Sequence, residues 1–367
     1  MRQNGDVYAA LRSRVEGKGL VALRDADGDG KAERVEYFGD TPGTGLALYK
    51  QYLYFGADDA VYRFPFREDD LLPGPAESIA SGFPEQRSHA PKTIAIDPES
   101  GTLFVNVGAP SNACMEQTRT PGSPGMRPCP QLERQAGIWR FDADTPGQTQ
   151  LGDSTRYATG IRNAVALDWN PANKRLYVAI HGRDQLSALF PQHYSEADSA
   201  ELPAEELHML VEGSNCGWPY TYYNHLLGKR MLAPEYGGDG KTEEASAEYQ
   251  APLLGFPGHW APNDLVFCDS EQFPERYRGG AFIVFHGSWN RAPLEQAGFN
   301  VVFVPFDNGL PAGGWEVFAD GFPGVDTVLN PRDARHRPTG AAFAPDGSLF
   351  VSDDVQGRIW RIRYGGE

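Results

Sequence analysis

The stretch Pro345-Asp346-Gly347-Ser348-Leu349-Phe350-Val351 decides the fold, because a turn of Pro, Asp and Gly runs directly into a short apolar strand. A second, aromatic strand follows it at residues 358–362. The same turn and strand recur at residues 4–9, 50–55, 99–105, 173–178 and 278–283. Six copies at an irregular spacing of roughly 40 to 100 residues predict an all-β, six-bladed β-propeller whose blades carry insertions.

We expect one domain over residues 1–367, because no Ser/Gly-rich or charged linker separates the repeats into independent sandwiches. Three insertions follow strand ends, at 109–135, 183–206 and 214–250, and such loops carry function more often than the framework does. The first copy begins at residue 4 with no strand before it. We therefore expect that N-terminal sequence is missing, namely one or two closing strands and a secretion signal.

The composition excludes several classes of protein. Lys and Arg number 33 against 49 Asp and Glu, a net charge of −16, so a nucleic-acid partner is not expected. Hydrophobic residues make up 40% and aromatic residues 12%, which is too apolar for a disordered chain. No apolar run approaches the ~18 residues that a membrane span needs, and the N-terminus has no apolar signal region. The chain is cytosolic, or it is a mature or truncated fragment.

Four cysteines allow three pairings. Cys114 and Cys129 flank a Pro/Gly-rich loop that a disulfide would close, with a stabilisation of about 3 kcal/mol from loop entropy. No C-x-x-C spacing occurs, so a zinc site is not indicated. The alternative is four buried free thiols in a reducing compartment. Cys216 and Cys268 stay unassigned.

Polar phrases at strand starts and strand ends are the candidate chemistry. The sequence has no zincin, serine-hydrolase, Walker or Rossmann motif. It has instead six short phrases rich in His and Arg, at residues 87–91, 159–163, 181–183, 259–262, 285–291 and 335–340. If each inner strand begins at the mouth of the central channel, these phrases converge there. Histidine and arginines around one cavity suit a general base and an anionic cofactor or substrate.

The order and wording of these phrases resemble the glucose/sorbosone dehydrogenase family, the soluble sugar dehydrogenases that hold pyrroloquinoline quinone (PQQ) on a six-bladed propeller. The sorbosone or pyranose dehydrogenase branch looks most similar. The resemblance spans residues 5 to 364, and its landmarks are the segments 23–30, 160–163, 215–220 and 286–291.

The resemblance implies a role for particular residues. His89 matches the base that takes the proton of the anomeric hydroxyl, and Arg162 matches the arginine that steadies charge on the quinone oxygen. Backbone carbonyls of Gly182 and Arg183 match the positions that hold the cofactor's calcium. Cofactor binding is expected from Arg162, Asn163, His181, Trp260, His286, Arg291 and Arg337. Glu205 and Glu206 lie in the family's acidic stretch, although the insertion before them differs from the family pattern.

A second calcium site is predicted near the N-terminus. Asp25, Asp27, Asp29 and Glu36 occupy positions 1, 3, 5 and 12 of a calcium loop, with Lys31 and Glu33 at the seventh and ninth. An acidic hairpin turn between strands would give the same residues without a metal.

The sequence therefore predicts an enzyme that oxidises an aldose at C1 to its lactone, with PQQ and Ca²⁺ as cofactors. Its partners would be a small sugar and an external electron acceptor (a quinone, cytochrome or dye), and its location would be periplasmic or extracellular. Two alternatives are a calcium-dependent lactonase propeller and a non-catalytic ligand-binding propeller. Carboxylates and asparagines rather than arginines would surround the channel metal of a lactonase.

Overall fold

Six small sheets arranged as a β-propeller make up the fold and confirm the predicted class. The computed structural model describes residues 1–67 and 69–365. In this part of the chain no helix combines the length and the apolar character that a membrane crossing requires.

Blades 1 and 2 are antiparallel. Blade 1 has the order β1-β2-β3, with β1 (Val7–Val15), β2 (Lys18–Arg24) and β3 (Arg34–Phe38). Blade 2 consists of β4 (Gly43–Tyr49), β5 (Tyr52–Ala57), β6 (Val61–Pro65) and β7 (Glu77–Ser81).

Blade 3 exchanges short strands with its neighbours. It contains β8 (Ile94–Ile96), β9 (Thr102–Val107) and β10 (Gly137–Asp142), then β12 (Thr155–Thr159). The short β11 (Gln148–Thr149) between them pairs in parallel with β7 of blade 2. A 3-10 helix, Pro130–Glu133, precedes β10.

Blade 4 carries two of the predicted insertions. Its strands are β13 (Ala166–Asn170), β14 (Arg175–Ile180), β15 (Glu205–Leu210) and β19 (Leu254–Phe256). The helices α1 (Leu186–Leu189) and α2 (Glu196–Glu201) lie in the first insertion. The second contains β16 (Ser214–Asn215), which pairs with β12, the hairpin of β17 (Thr221–Asn224) and β18 (Lys229–Leu232), and a 3-10 helix, Pro234–Tyr236.

Blades 5 and 6 complete the described chain. Blade 5 contains β20 (Pro262–Phe267), β21 (Ala281–Phe285), β22 (Asn300–Val304) and β25 (Glu316–Ala319), with a small hairpin of β23 (Phe306–Asp307) and β24 (Leu310–Pro311). Blade 6 contains β26 (Pro338–Phe343), β27 (Leu349–Asp353) and β28 (Ile359–Ile362). The 3-10 helices Glu275–Tyr277 and Pro331–Asp333 lie in their loops.

The core lies between the blades. Central strands such as β14 and β21 are covered on both faces by neighbouring blades, so their sequences are nearly continuous apolar runs rather than alternating ones. Between blades 4 and 5, Tyr177 packs on Phe267 with ring centroids 5.1 Å apart. Burial of this apolar surface holds each blade against the next.

The first strand of each blade contacts the first strand of the next, in the order β1, β4, β8, β13, β20 and β26. Two half-buried carboxylates bridge such neighbours. Asp168 of β13 accepts the backbone N–H of Phe267 at 3.0 Å, and Asp264 of β20 accepts that of Ala341 at 2.7 Å. Because antiparallel neighbours bring the start of a first strand and the end of a second strand to one end of the blade, the polar phrases share one end of the propeller.

Candidate active site

A cavity of about 220 Å³ lies where the polar phrases meet. Its walls come from the segments that precede β8, β13 and β20, from those that follow β9, β14 and β21, and from the start of β15. The lining residues are His89, Arg119, Arg162, His181, Gly182, Asp184, Glu205, His259, Ala261, Trp289 and Asn290. Segments far apart in sequence thus converge on one polar cavity, and of the predicted residues His89, Arg162, His181 and Gly182 line it.

His89 is held in a backbone conformation that side chains rarely adopt, with φ of 53°. Its Nδ1 lies 2.7 Å from the carbonyl oxygen of Ala109. A carbonyl only accepts, so Nδ1 carries the ring proton and Nε2 is the unprotonated nitrogen. Burial, with Arg162 nearby, lowers the pKa of His89 to about 3. His89 is therefore a neutral base with one basic nitrogen.

Gly108 makes room for this histidine. A Cβ on Gly108 would lie 2.6 Å from Cβ of His89 and 2.7 Å from Oδ1 of Asn163. Atoms that close must move apart, so a side chain at position 108 would displace His89 or Asn163.

Two further neutral histidines line the cavity. Nε2 of His181 donates to the carbonyl oxygen of Pro262 at 2.7 Å, and Nε2 of His259 donates to that of Ser199 at 2.8 Å. Burial lowers the pKa of His181 to about 4, and burial also lowers the pKa of His259. Each ring therefore presents an unprotonated Nδ1.

Asp184 joins the charged residues of the site. Its Oδ2 accepts from Arg162 at 3.1 Å and from Arg119 at 2.8 Å, and its Oδ1 accepts from Asn290 at 3.1 Å. Burial raises the pKa of Asp184, but the two arginines lower it by more, to about 2. The carboxylate is therefore ionised, and it fixes the guanidinium of Arg162 beside the cavity.

Glu205 is the second buried carboxylate. Burial raises its pKa to about 7, although the N–H groups of Gly182 and Ala261 donate to its two oxygens at 2.8 and 3.3 Å. Among the described residues, none donates a hydrogen bond to the carbonyl oxygens of Gly182 or Arg183. Unpartnered carbonyls beside a carboxylate are oxygen donors of the kind that Ca²⁺ binds.

The other predicted cofactor residues do not line the cavity. Oδ1 of Asn163 accepts from Asn106, and Trp260 packs against Phe285 and Trp315. Nε2 of His286 lies 3.0 Å from Oδ1 of Asp354. Each of these side chains therefore contacts another side chain of the protein.

Two arginines expected to meet the cofactor have other contacts in the structure. The buried guanidinium of Arg291 donates to the carbonyl oxygens of Ala200 and Gly258, each at 2.9 Å, and pairs with Glu201. That of Arg337 donates to the carbonyl oxygens of His286 and Gly287. Arg119 contributes the second guanidinium of the cavity instead.

The sequence pattern does not mark Arg119, Asp184, Trp289 or Asn290 as site residues. Trp289 and Asn290 lie inside a quoted phrase, so their position was available as a signal. Arg119 lies in the insertion 109–135, where no spacing marks it. A disulfide joins Cys114 and Cys129 on either side of it, with 6.2 Å between their Cα atoms. Cys216 and Cys268 are buried free thiols, and burial raises the pKa of each.

The acidic loop near the N-terminus gathers a different set of residues from the predicted one. Ligand atoms of Asp25, Asp27, Asp29 and Glu33 lie within 4.8 Å of one another, and all four residues are exposed. Glu36 is not in this group, because it lies in β3, where Arg34 donates to it at 2.6 Å. Glu33, at the ninth position of the predicted loop, therefore joins the cluster, whereas Glu36, at the twelfth position, does not.

A second cavity, of about 670 Å³, lies between blades 1 and 2. Aromatic rings, prolines and peripheral charged side chains line it, including Tyr37, Tyr62, Lys18, Asp40 and Arg67. The smaller cavity brings together buried histidines, arginines and carboxylates with perturbed pKa values, which is the pattern of an active site, so it is the candidate active site.

Comparison with known proteins gives the family and the fold. The TrAA12-like family matches residues 32–365. A PQQ-dependent pyranose dehydrogenase of Coprinopsis cinerea is 27% identical over 308 residues, covering 75% of this chain and 39% of its own length. This chain thus spans well under half of that relative.

Two solved structures have the same fold. The holo form of the pyranose dehydrogenase PQQ domain from Coprinopsis cinerea has a TM-score of 0.71 at 18% identity, covering 95% of this chain and 88% of the other. The calcium structure of the Trichoderma reesei carbohydrate-active enzyme of family AA12 has a TM-score of 0.70 at 19% identity, covering 97% and 95%. The relatives named as pyranose dehydrogenases belong to the family of PQQ-dependent sugar dehydrogenases that the sequence phrases resemble.

Proposed function

Because the chain belongs to the TrAA12-like family, we propose that it is a quinoprotein sugar dehydrogenase that oxidises an aldose at C1 to its lactone. PQQ would be its cofactor, with Ca²⁺ beside it, and an external acceptor would take up the electrons. The observation that carries the proposal is the convergence of the basic Nε2 of His89 and the guanidinium of Arg162 on one cavity.

The donor set of the cavity fits this cofactor. PQQ is a planar tricarboxylate, and Arg119 and Arg162 are cations that can pair with carboxylate or quinone oxygens. The unpartnered carbonyl oxygens of Gly182 and Arg183, with Glu205 nearby, would hold Ca²⁺. The cavity is lined by Arg119 and Arg162 but also by Asp184, Glu205 and Asn290, so the relatives of the chain, rather than the balance of lining residues, favour the dehydrogenase over a lactonase.

When bound, PQQ supplies an ortho-quinone that accepts a hydride, and Ca²⁺ polarises its carbonyl. His89 would take the proton of the C1 hydroxyl on Nε2, while the hydrogen on C1 leaves with its two electrons. The C1–O bond then becomes the carbonyl of the lactone. Arg162, whose position is fixed by Asp184, would stabilise the negative charge that develops on the quinone oxygen.

The tautomer of His89 supports its role as the base. Because the carbonyl of Ala109 holds the proton on Nδ1, Nε2 needs no prior deprotonation. The low pKa of His89 keeps it neutral, and an anionic cofactor beside it would raise this pKa toward the range of an effective base.

The disulfide between Cys114 and Cys129 supports a periplasmic or extracellular location, since disulfides persist in oxidising compartments. The partner that receives the electrons would be a quinone, a cytochrome or, in the laboratory, a dye.

The test is reconstitution. The protein is purified without metal, PQQ and Ca²⁺ are added separately and together, and reduction of an artificial dye is followed over a panel of aldoses. We expect turnover only with both additions, and the lactone as the product. Absence of PQQ binding, or hydrolysis of lactones without dye reduction, would replace the proposal by a binding propeller or a lactonase.

A further inference from the structure

The lining of the active-site cavity changes from buried to exposed toward one side. Arg162, Asp184, Glu205 and His259 are buried, whereas Arg119 and Trp289 are exposed. Trp289 is 56% exposed, and each of the other six tryptophans is buried or half-buried in the described chain. Leaving an indole in water forgoes the stabilisation of burying it, and this exposed indole lines the polar cavity, where a ligand would cover it.

The backbone around Trp289 is anchored on both sides. Ser288 before it is fully buried, and its hydroxyl donates to Gln296 at 2.8 Å and accepts from the N–H of Ala297 at 2.9 Å. Arg291 after it is fixed by two backbone carbonyls and Glu201. The indole is therefore presented by a fixed loop, which lowers the entropy cost of binding.

One carboxylate ties this rim to the catalytic residues. Asn290 donates to Oδ1 of Asp184, and Arg119 and Arg162 donate to Oδ2. Asp184 thus fixes the side chain of Asn290, which follows Trp289 in the chain. It also fixes the guanidinium groups of Arg119 and Arg162. A ligand held by the rim would be placed in register with Arg162.

We propose that Trp289 is the substrate platform, on which the ring of a neutral pyranose stacks while Arg119 donates to its hydroxyl groups. This inference rests on the proposed function. A cavity of about 220 Å³ that holds a planar cofactor leaves the sugar at the rim. The C–H groups on one face of a pyranose form an apolar surface that suits an aromatic face, and the hydroxyls at its edge suit a guanidinium.

The overall charge of the protein favours a neutral sugar over an anionic one. At the rim, the single charge of Asp184 is shared between Arg119 and Arg162. The net charge of −16 opposes the approach of anionic substrates such as uronic acids.

The experiment compares Trp289→Ala and Trp289→Phe with Leu310→Ala. Leu310 is an exposed apolar residue whose neighbour Gly309 contacts Asn173 at the far end of β14, away from the cavity. We expect Trp289→Ala to raise KM for neutral aldoses roughly 10-fold or more, with kcat and the PQQ dissociation constant within about twofold of wild type. Trp289→Phe should recover part of the loss, and Leu310→Ala should change neither constant.

A second readout separates this inference from the proposed function. Tryptophan emission of the PQQ-free protein is titrated with neutral sugars and with the matching uronic acids. We expect neutral sugars to change the emission of wild type and not that of Trp289→Phe. Absence of dye reduction in wild type would overturn the proposed function. An unchanged KM in an active Trp289→Ala variant, no sugar-induced change in emission, or tighter binding of the uronic acid would overturn this inference.

Discussion

The active-site cavity and the acidic loop of residues 25–33 both gather charged side chains, but they do so in different ways. In the cavity, Arg162 and Asp184 are buried, and their contacts join residues 22 to 106 positions apart. In the loop, Asp25 accepts N–H groups only three and five residues away, and its side chain faces water. The arrangement of side chains in the cavity therefore depends on the tertiary fold, whereas that of the loop depends on contacts between residues close in sequence.

This difference determines what each region can do. Burial raises the strength of electrostatic interactions, so the cavity can shift pKa values and fix a tautomer. Exposed carboxylates are screened by water and satisfied by nearby amides, so a change there costs little. The predictions below test this contrast.

The largest effect should follow the loss of the proposed base. We expect His89→Ala to lower kcat/KM by about 10²- to 10⁴-fold, because general bases contribute this range. The exposed His193 provides the matched variant, His193→Ala. Steady-state dye reduction with saturating PQQ measures both. Equal activity of the two variants would remove His89 from the mechanism.

A smaller effect should follow a methyl group at position 108. We expect Gly108→Ala to displace His89, lower kcat/KM roughly 10-fold and destabilise the fold by about 1–3 kcal/mol. Gly314→Ala is the control, since a Cβ there meets no atom within 4 Å. Turnover and urea unfolding are compared. A Gly108→Ala variant as active and stable as the control would contradict the packing described around His89.

The buried histidines predict a dependence of stability on pH. His181 has a folded pKa of about 4, below its ordinary value of about 6.5. The contribution of neutral His181 to the free energy of unfolding is therefore complete above pH 6.5, and it is lost as the pH falls toward 4. We expect the free energy of unfolding of the PQQ-free protein to exceed that of His181→Gln by more at pH 7.5 than at pH 5. A gap that widens on acidification would mean that His181 is charged in the folded state.

The smallest effect should come from the acidic loop. We expect Asp25→Asn to leave kcat and KM within about twofold of wild type, since Asp25 is exposed and its contacts are local. Melting curves with and without Ca²⁺ show whether the loop binds the ion. A loss of turnover as large as that of His89→Ala would show that the two regions are coupled and would break the contrast.

The propeller and part of the site could be predicted from the sequence, and the reason is physical. Strands such as 281–285 are fixed by turn residues and apolar runs, both of which are local and readable. His89 and Arg162 lie at strand starts, so repetition of the blade predicted their convergence. The partners of Arg291 and Arg337 depend on loop conformation, which no periodicity encodes. The contacts of Arg119 depend on how a disulfide-closed loop folds back over the cavity.

The same limit applies to the acidic loop. Spacing predicted a carboxylate at position 36, but pairing of β2 with β3 places Glu36 opposite Ala22 in the sheet. Strand β3 begins at Arg34, before a twelve-residue loop that starts at Asp25 would end. Glu33, rather than Glu36, is therefore the last carboxylate of the cluster. The spacing of the carboxylates in the sequence predicts candidate metal ligands. The register of the neighbouring strands then determines which of these carboxylates lie close together.

The most direct test of the central claim is the absorbance of PQQ bound to the protein, recorded without dye and without oxygen while an aldose is added. We expect bound PQQ to be reduced in wild type, with one lactone formed per PQQ, and we expect His89→Ala to bind PQQ but to reduce it at least 100-fold more slowly. If PQQ bound to wild type stays oxidised with every aldose, while a chemical reductant still reduces it, the cavity is not the site of sugar oxidation.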